Sequence, residues 1–135
     1  MESKELRIGN WVEKSIKSGQ GRKIFSKIGC QDIVRISENT GCFNYEPIPL
    51  SEELLLKAGF EISTGESLGE SLFYEDKVFW IEGLYILEHI GEDEGFAFYH
   101  SDGQDGANLI KWVKHLHELQ NLYWVLSGTE LEINL

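Results

Sequence analysis

The chain has 135 residues, 41% of them hydrophobic and 12% aromatic, and a formal net charge of -11. The length suits one domain with one core, and the composition excludes a chain that is disordered over most of its length. Residues 1–48 hold eight Lys/Arg against six Asp/Glu, leaving +2, whereas residues 49–135 hold four against seventeen, leaving -13. Only the first third is suited to phosphate, and the remainder repels nucleic acid.

Residues 1–7 carry no apolar stretch of the secretory kind, and no apolar run reaches the roughly 18–20 residues a membrane span needs. The expectation is a cytoplasmic protein with no membrane association. Residues 6–12, 22–28, 32–36 and 43–45 read as short strands, rich in β-branched residues and partly alternating. A polar, glycine-bearing turn falls at 17–22. These strands predict a curled sheet or small barrel-like unit. If 33–36 and 43–46 form a hairpin, Cys30 lies about six residues from the position opposite Cys42. At about 3.3 Å per residue that is near 20 Å, beyond disulfide reach, so both cysteines are expected as free thiols.

The clearest local pattern follows. Ser51 is a good N-cap, Glu52 and Glu53 favour the first turn, and Leu50 can staple to Leu55. Gly59 supplies a left-handed stop and lets Phe60 fold back on Leu55. A short helix is predicted over 51–58. Residues 63–70 read as loop. Strands are predicted at 72–74, 78–81, 84–87, 96–99 and 109–113, with turns at 75–77 and 82–83, an acidic turn at 91–95 and a loop at 101–106. A second helix is predicted over 114–127, stopped by Gly128. Its core stripe is Leu116, Leu119, Leu122, Tyr123 and Leu126, and its narrow polar wedge is His117, Glu118 and Asn121. A helix so apolar all round is expected to be packed on more than one side. Residues 131–135 alternate like an edge strand.

No catalytic, cofactor-binding or metal-ligating set is expected. His115 and His117 form a His-x-His pair, but on a helix such positions point about 200° apart and cannot share an ion. They read as ordinary helix-face histidines. Asp102-Gly103-Gln104-Asp105-Gly106 lacks the ligand spacing of an EF-hand and reads as a solvated turn, as does Glu92-Asp93-Glu94. Neither Cys30 nor Cys42 sits in the context of a nucleophile. Two surfaces stand out instead. Trp112, Tyr123 and Trp124 make the C-terminal helix region a candidate interface, with a homodimer as one way to cover it. Lys14, Lys17, Arg22, Lys23 and Lys27, with Trp11 among them, are the candidate nucleic-acid contacts, weighed against edge-protecting lysines.

Three segments, Glu5-Leu6-Arg7-Ile8-Gly9-Asn10-Trp11-Val12, the stretch from Pro47 to Phe60 (PIPLSEELLLKAGF) and the stretch beginning His117-Glu118-Leu119-Gln120-Asn121-Leu122-Tyr123, together resemble a family of short proteins from gut anaerobic bacteria and their prophages. No activity comes with that resemblance. It implies a bacterial or mobile-element context and adds no catalytic residue.

The expectation is therefore one α+β domain over 1–135, β-rich in 1–48 and acidic in 49–135: a short-strand sheet, a capped helix, antiparallel strands and a packed C-terminal helix. The function expected is that of a non-enzymatic interaction or accessory protein of phage or mobile-element type, with an unidentified protein partner. The alternative is a weak nucleic-acid-binding module working through the N-terminal strands.

Overall fold

The fold is described from a computed structural model, over residues 2–17, 22–63, 78–81, 85–91, 95–101 and 107–135. The expected strand at 72–74, and most of the expected turns and loops, lie outside the described residues. The chain is α+β and divides into two compact units, one formed by Met1–Pro49 with His115–Leu131, the other by Leu50–Lys114 with Glu132–Leu135. The first unit holds eight Lys/Arg and eight Asp/Glu, so the whole net charge of -11 belongs to the second.

The first unit opens on a 3-10 turn, Ser3–Glu5. The chain then turns again, with Asn10 N–H bonded to Arg7 O at 3.0 Å and Arg7 N–H to Asn10 Oδ1 at 2.7 Å. Those bonds delay the first strand, expected at 6–12, to β1 (Trp11–Ile16). β1 is the centre of an open antiparallel sheet, flanked by β2 (Ile24–Lys27) and β3 (Phe43–Glu46) in the order β2-β1-β3. The sheet is not closed, so the barrel-like alternative is not realised.

Between β2 and β3 the expected strand at 32–36 is instead a helix, α1 (Cys30–Glu38). The ends decide it. Asp32 Oδ2 accepts the Gly29 N–H at 2.9 Å, so the helix start is capped from inside its first turn. Asn39 adopts the left-handed conformation (φ 52°) and donates its N–H to the carbonyls of the last turn, while Thr40 N–H bonds Arg35 O at 2.9 Å. Two β-branched residues more or fewer change helix propensity by only about 1 kcal/mol, and satisfied ends outweigh that. Ile33 and Ile36 are half-buried and Val34 is exposed, a helical period misread as alternation. Cys30 and Cys42 are free, as expected, and both are exposed, although α1 replaces the hairpin that was to separate them.

The unit is completed by α3 (Leu116–Ser127), which starts where expected to within two residues and stops on Gly128 (φ 73°). Leu116, Leu119 and Tyr123 are buried as expected. The buried face, however, is turned toward His117 and Gln120, and Leu126, assigned to the core stripe, is exposed together with Trp124 and Val125. The helix is thus not covered all round.

The second unit begins with α2 (Glu52–Lys57), where the expected cap, acidic first turn and glycine stop are all found. Ser51 Oγ accepts the Leu54 N–H at 3.3 Å. Gly59 (φ 93°) closes the helix, with Phe60 N–H on Leu55 O at 3.0 Å and Gly59 N–H on Leu56 O at 3.1 Å, the paired bonds of a Schellman stop. A five-stranded antiparallel meander follows: β4 (Glu61–Ser63), β5 (Val78–Ile81), β6 (Tyr85–Gly91), β7 (Gly95–Ser101) and β8 (Ala107–Val113), in sequence order. β4 begins two residues before the segment read as loop.

Both faces of this sheet are apolar. Phe79, Leu87 and Phe98 are cross-strand partners on one face, and Val78, Ile86, Trp80 and Tyr99 pack on the other. Between β7 and β8 the register slips. Phe98 faces Lys111 and Tyr99 faces Leu109, so Ile110 is an extra residue, a β-bulge. Residues 131–135 form no strand. Leu131 and Ile133 are buried in alternation, but no strand pairs with them among the described residues, and a burial alternation without a neighbour makes no ladder.

Candidate functional site

Polar groups inside the first unit are concentrated where the first and third family-like segments meet. Gln120 and Asn10 are buried. Gln120 Oε1 accepts the Trp11 backbone N–H at 2.8 Å, and its Nε2 reaches Gly9 O at 3.4 Å. Asn121 Oδ1 accepts from Asn10 Nδ2 (2.8 Å) and Arg7 Nε (3.2 Å), and its own amide donates to Glu5 O (2.8 Å). Arg7 forks onto Glu130 with both terminal nitrogens and lies 5.0 Å over the Trp124 ring. The Arg7, Asn10, Gln120 and Asn121 side chains all bond within the chain, so this network holds structure rather than substrate. It gives the two motifs a physical meaning: they fasten the chain's start to α3.

A second cluster lies between α1 and β3. Asp32, already the cap of α1, also accepts from Tyr45 Oη at 2.7 Å and Lys14 Nζ at 3.4 Å, with Arg35 Nη1 at 3.7 Å. Burial alone would raise the Asp32 carboxyl, but the Gly29 and Tyr45 hydrogen bonds and the Lys14 charge hold it below the ordinary carboxylate range. Burial and the bond to Asp32 push the Tyr45 phenol up. Beside this cluster opens a cavity of about 230 Å³ lined by Lys17, Arg35, Asn39, Phe43, Tyr45 and Glu46 among others.

The histidine pair departs from the helix-face reading. His115 is the N-cap of α3, in extended conformation, so the 200° offset of two helical positions does not apply. Its ring stacks on that of His117, centroids 5.7 Å apart and planes within 9°. His115 Nδ1 lies 2.8 Å from Glu118 Oε1. His117 is 2% exposed and, among the described residues, neither ring nitrogen has a hydrogen-bond partner. Burial, and then the neighbouring His115, lower its pKa against the opposing pull of Glu118 and Glu5. Folded His117 therefore stays neutral where the unfolded chain, near the ordinary value of about 6.5, takes up a proton. Stability is fully retained above that pH and declines as the pH falls through the window below it. The melting temperature is expected to drop more steeply between pH 7 and 5 in the wild type than in His117→Phe, and parallel curves would remove His117 as the cause. Among the described residues no group of three or more His, Cys, Asp or Glu is placed to hold a metal ion.

The six candidate nucleic-acid residues do not share a face. Cross-strand register puts Trp11 and Lys27 on one face of the three-stranded sheet and Lys14 on the other. Lys14 is committed to Asp32 and to the Phe43 ring, 4.1 Å away. Lys23 is held between Glu13 (3.6 Å) and Glu46 (3.4 Å), Lys27 lies over the Trp11 ring, Lys17 lines the cavity and Arg22 is exposed. Of the three candidate interface residues, Trp112 and Trp124 are exposed and Tyr123 is buried, which takes Tyr123 out of any surface.

No family model matches this chain. No curated protein and no solved structure matches it either. The cavity residues were the ones sequence reasoning missed, because Arg35 was assigned to a strand and Lys17 to a nucleic-acid surface. The signal was present in Gly29-x-x-Asp32 and Asn39-Thr40-Gly41, the start and stop of α1.

Proposed function

We propose that this chain is a non-enzymatic interaction or accessory protein, of the phage or mobile-element type its motifs resemble, and that it takes a protein partner on the outer edge of β8. One observation carries this reading. Among the described residues β8 is the last strand of its sheet, and Leu109, Ile110 and Trp112 on it are 51%, 43% and 49% exposed. In a regular strand Leu109 and Trp112 would point to opposite faces. The bulge at Ile110 places both on the face that carries Tyr99 and Ala97. An edge of seven residues with three large apolar side chains and one lysine, Lys111, is poorly protected against strand addition, and strand addition is a common mode of peptide recognition.

The test compares the wild type with Leu109→Lys/Trp112→Glu. Loss of a co-purifying protein, or of self-association in sedimentation, with an unchanged melting curve is the expected result. Equal behaviour of both chains in both assays would remove the edge as the interaction surface.

A further inference from the structure

We propose that the cavity between the C-terminal end of α1 and β3 binds a small anion bearing a carboxylate or phosphate group, with Arg35 and Lys17 as its cationic contacts. The argument is first one of charge. Four ionised groups surround the cavity's inner wall and rim: Arg35, Lys17, Glu46 and, behind them, Asp32. Asp32 is served by Lys14, and Glu46 shares Lys23 with Glu13. Asp32 further accepts from Gly29 N–H and Tyr45 Oη, so its 3.7 Å contact to Arg35 is the weakest of its four. Lys17 has no side-chain partner among the described residues. At this cavity Lys17 is therefore unpaired among the described residues and Arg35 holds only the longest of the Asp32 contacts together with Tyr45, in the unit of the protein that carries no net charge.

The negative end of α1 faces the same space and works against an anion. Its effect is about half an elementary charge, and the carbonyls of Arg35 and Ile36 are already taken by the Asn39 and Thr40 N–H groups. Two full positive charges outweigh it.

The wall is also shaped for this use. Gly41 (φ 86°) carries no side chain, and a Cβ there would come within 3.2 Å of Arg35 Cδ, so the glycine makes room for the Arg35 stem. A guanidinium so placed offers paired donors that match a carboxylate or phosphate. The side chains of Asn39, Thr40 and Asn44 add neutral donors free of other partners among the described residues. At about 230 Å³ the space is below that of a drug-sized ligand site, which limits the occupant to a small metabolite or a terminal acidic group.

The experiment follows backbone amide signals of the whole chain during titration with inorganic phosphate, with succinate, and with sodium chloride at matched ionic strength. Saturable shifts confined to Lys17 and residues 35–46, with phosphate or succinate and not with chloride, are expected, and the responding anion distinguishes the two chemistries. Arg35→Gln should weaken binding about tenfold or more and Lys17→Gln several-fold, as loss of a charge-assisted contact implies. If Arg35→Gln does not fold, Lys17→Gln, altered at an exposed side chain, carries the comparison. Shifts that fail to saturate, that lie elsewhere, or that persist unchanged in Lys17→Gln overturn the proposal. Its outcome is independent of the β8 edge, which shares none of these residues.

Discussion

Replacement of Leu119 by Asp is expected to abolish the cooperative thermal transition of the first unit. Leu119 has no exposed surface, one turn from the buried Leu116 and Tyr123. The change removes about 2–3 kcal/mol of apolar burial and confronts a carboxyl with a site that offers it no partner, which costs several kcal/mol more. Against a total stability of about 5–15 kcal/mol for a whole domain, that sum leaves little. Val125→Asp is the control on the same helix. Val125 is 70% exposed, so its replacement should shift the midpoint by no more than an ordinary surface substitution, about 0.5 kcal/mol. Circular dichroism on heating checks both. A Leu119→Asp chain melting within a few degrees of the wild type would contradict the burial of this face.

The second large effect is expected at Gln120. Gln120→Leu keeps the volume and would be favourable by hydrophobicity alone. It removes the acceptor of the Trp11 N–H and the donor to Gly9 O. The wild-type amide is buried, so the groups it leaves are not rescued by solvent, and an orphaned buried donor costs about 1–3 kcal/mol. Urea unfolding should show a midpoint lowered by that amount with an unchanged slope. A neutral or stabilising result would mean that water reaches Trp11 N–H and that the network is not closed.

How far such features could be read from the residues alone depended on the range of the interactions that create them. α2 was legible because its cap and its stop lie within ten residues of each other. α1 was not, because Ile33, Val34 and Ile36 satisfy both a strand and a helix pattern and only the end groups separate the two. α3 was legible in extent and not in orientation. Its buried face includes Gln120, which is met by Trp11 and Gly9 more than a hundred positions away, and His117, whose ring is buried without a hydrogen bond among the described residues, and neither inward turn has a local mark. The bulge at Ile110 has no local mark. The residues of the cavity likewise became a set only once α1 had brought Arg35 beside β3.

The fastening of Arg7 and Trp11 to Gln120, Asn121 and Glu130 also bears on how the protein is made. The first unit is built from two pieces of chain with the whole of Leu50–Lys114 inserted between them. The contacts that complete it are among the most distant in sequence that the chain allows, whereas the meander of the second unit joins each strand to the next. Closing a long loop costs entropy before any contact returns it, so the local unit has the kinetic advantage. During synthesis at about 5–20 residues per second, β1, β2 and β3 wait roughly 4–16 s for α3 and Glu130 to follow them out. Over that interval the N-terminal strands lack the buried amide that holds Trp11, while the strands of the acidic second unit can already pair with one another.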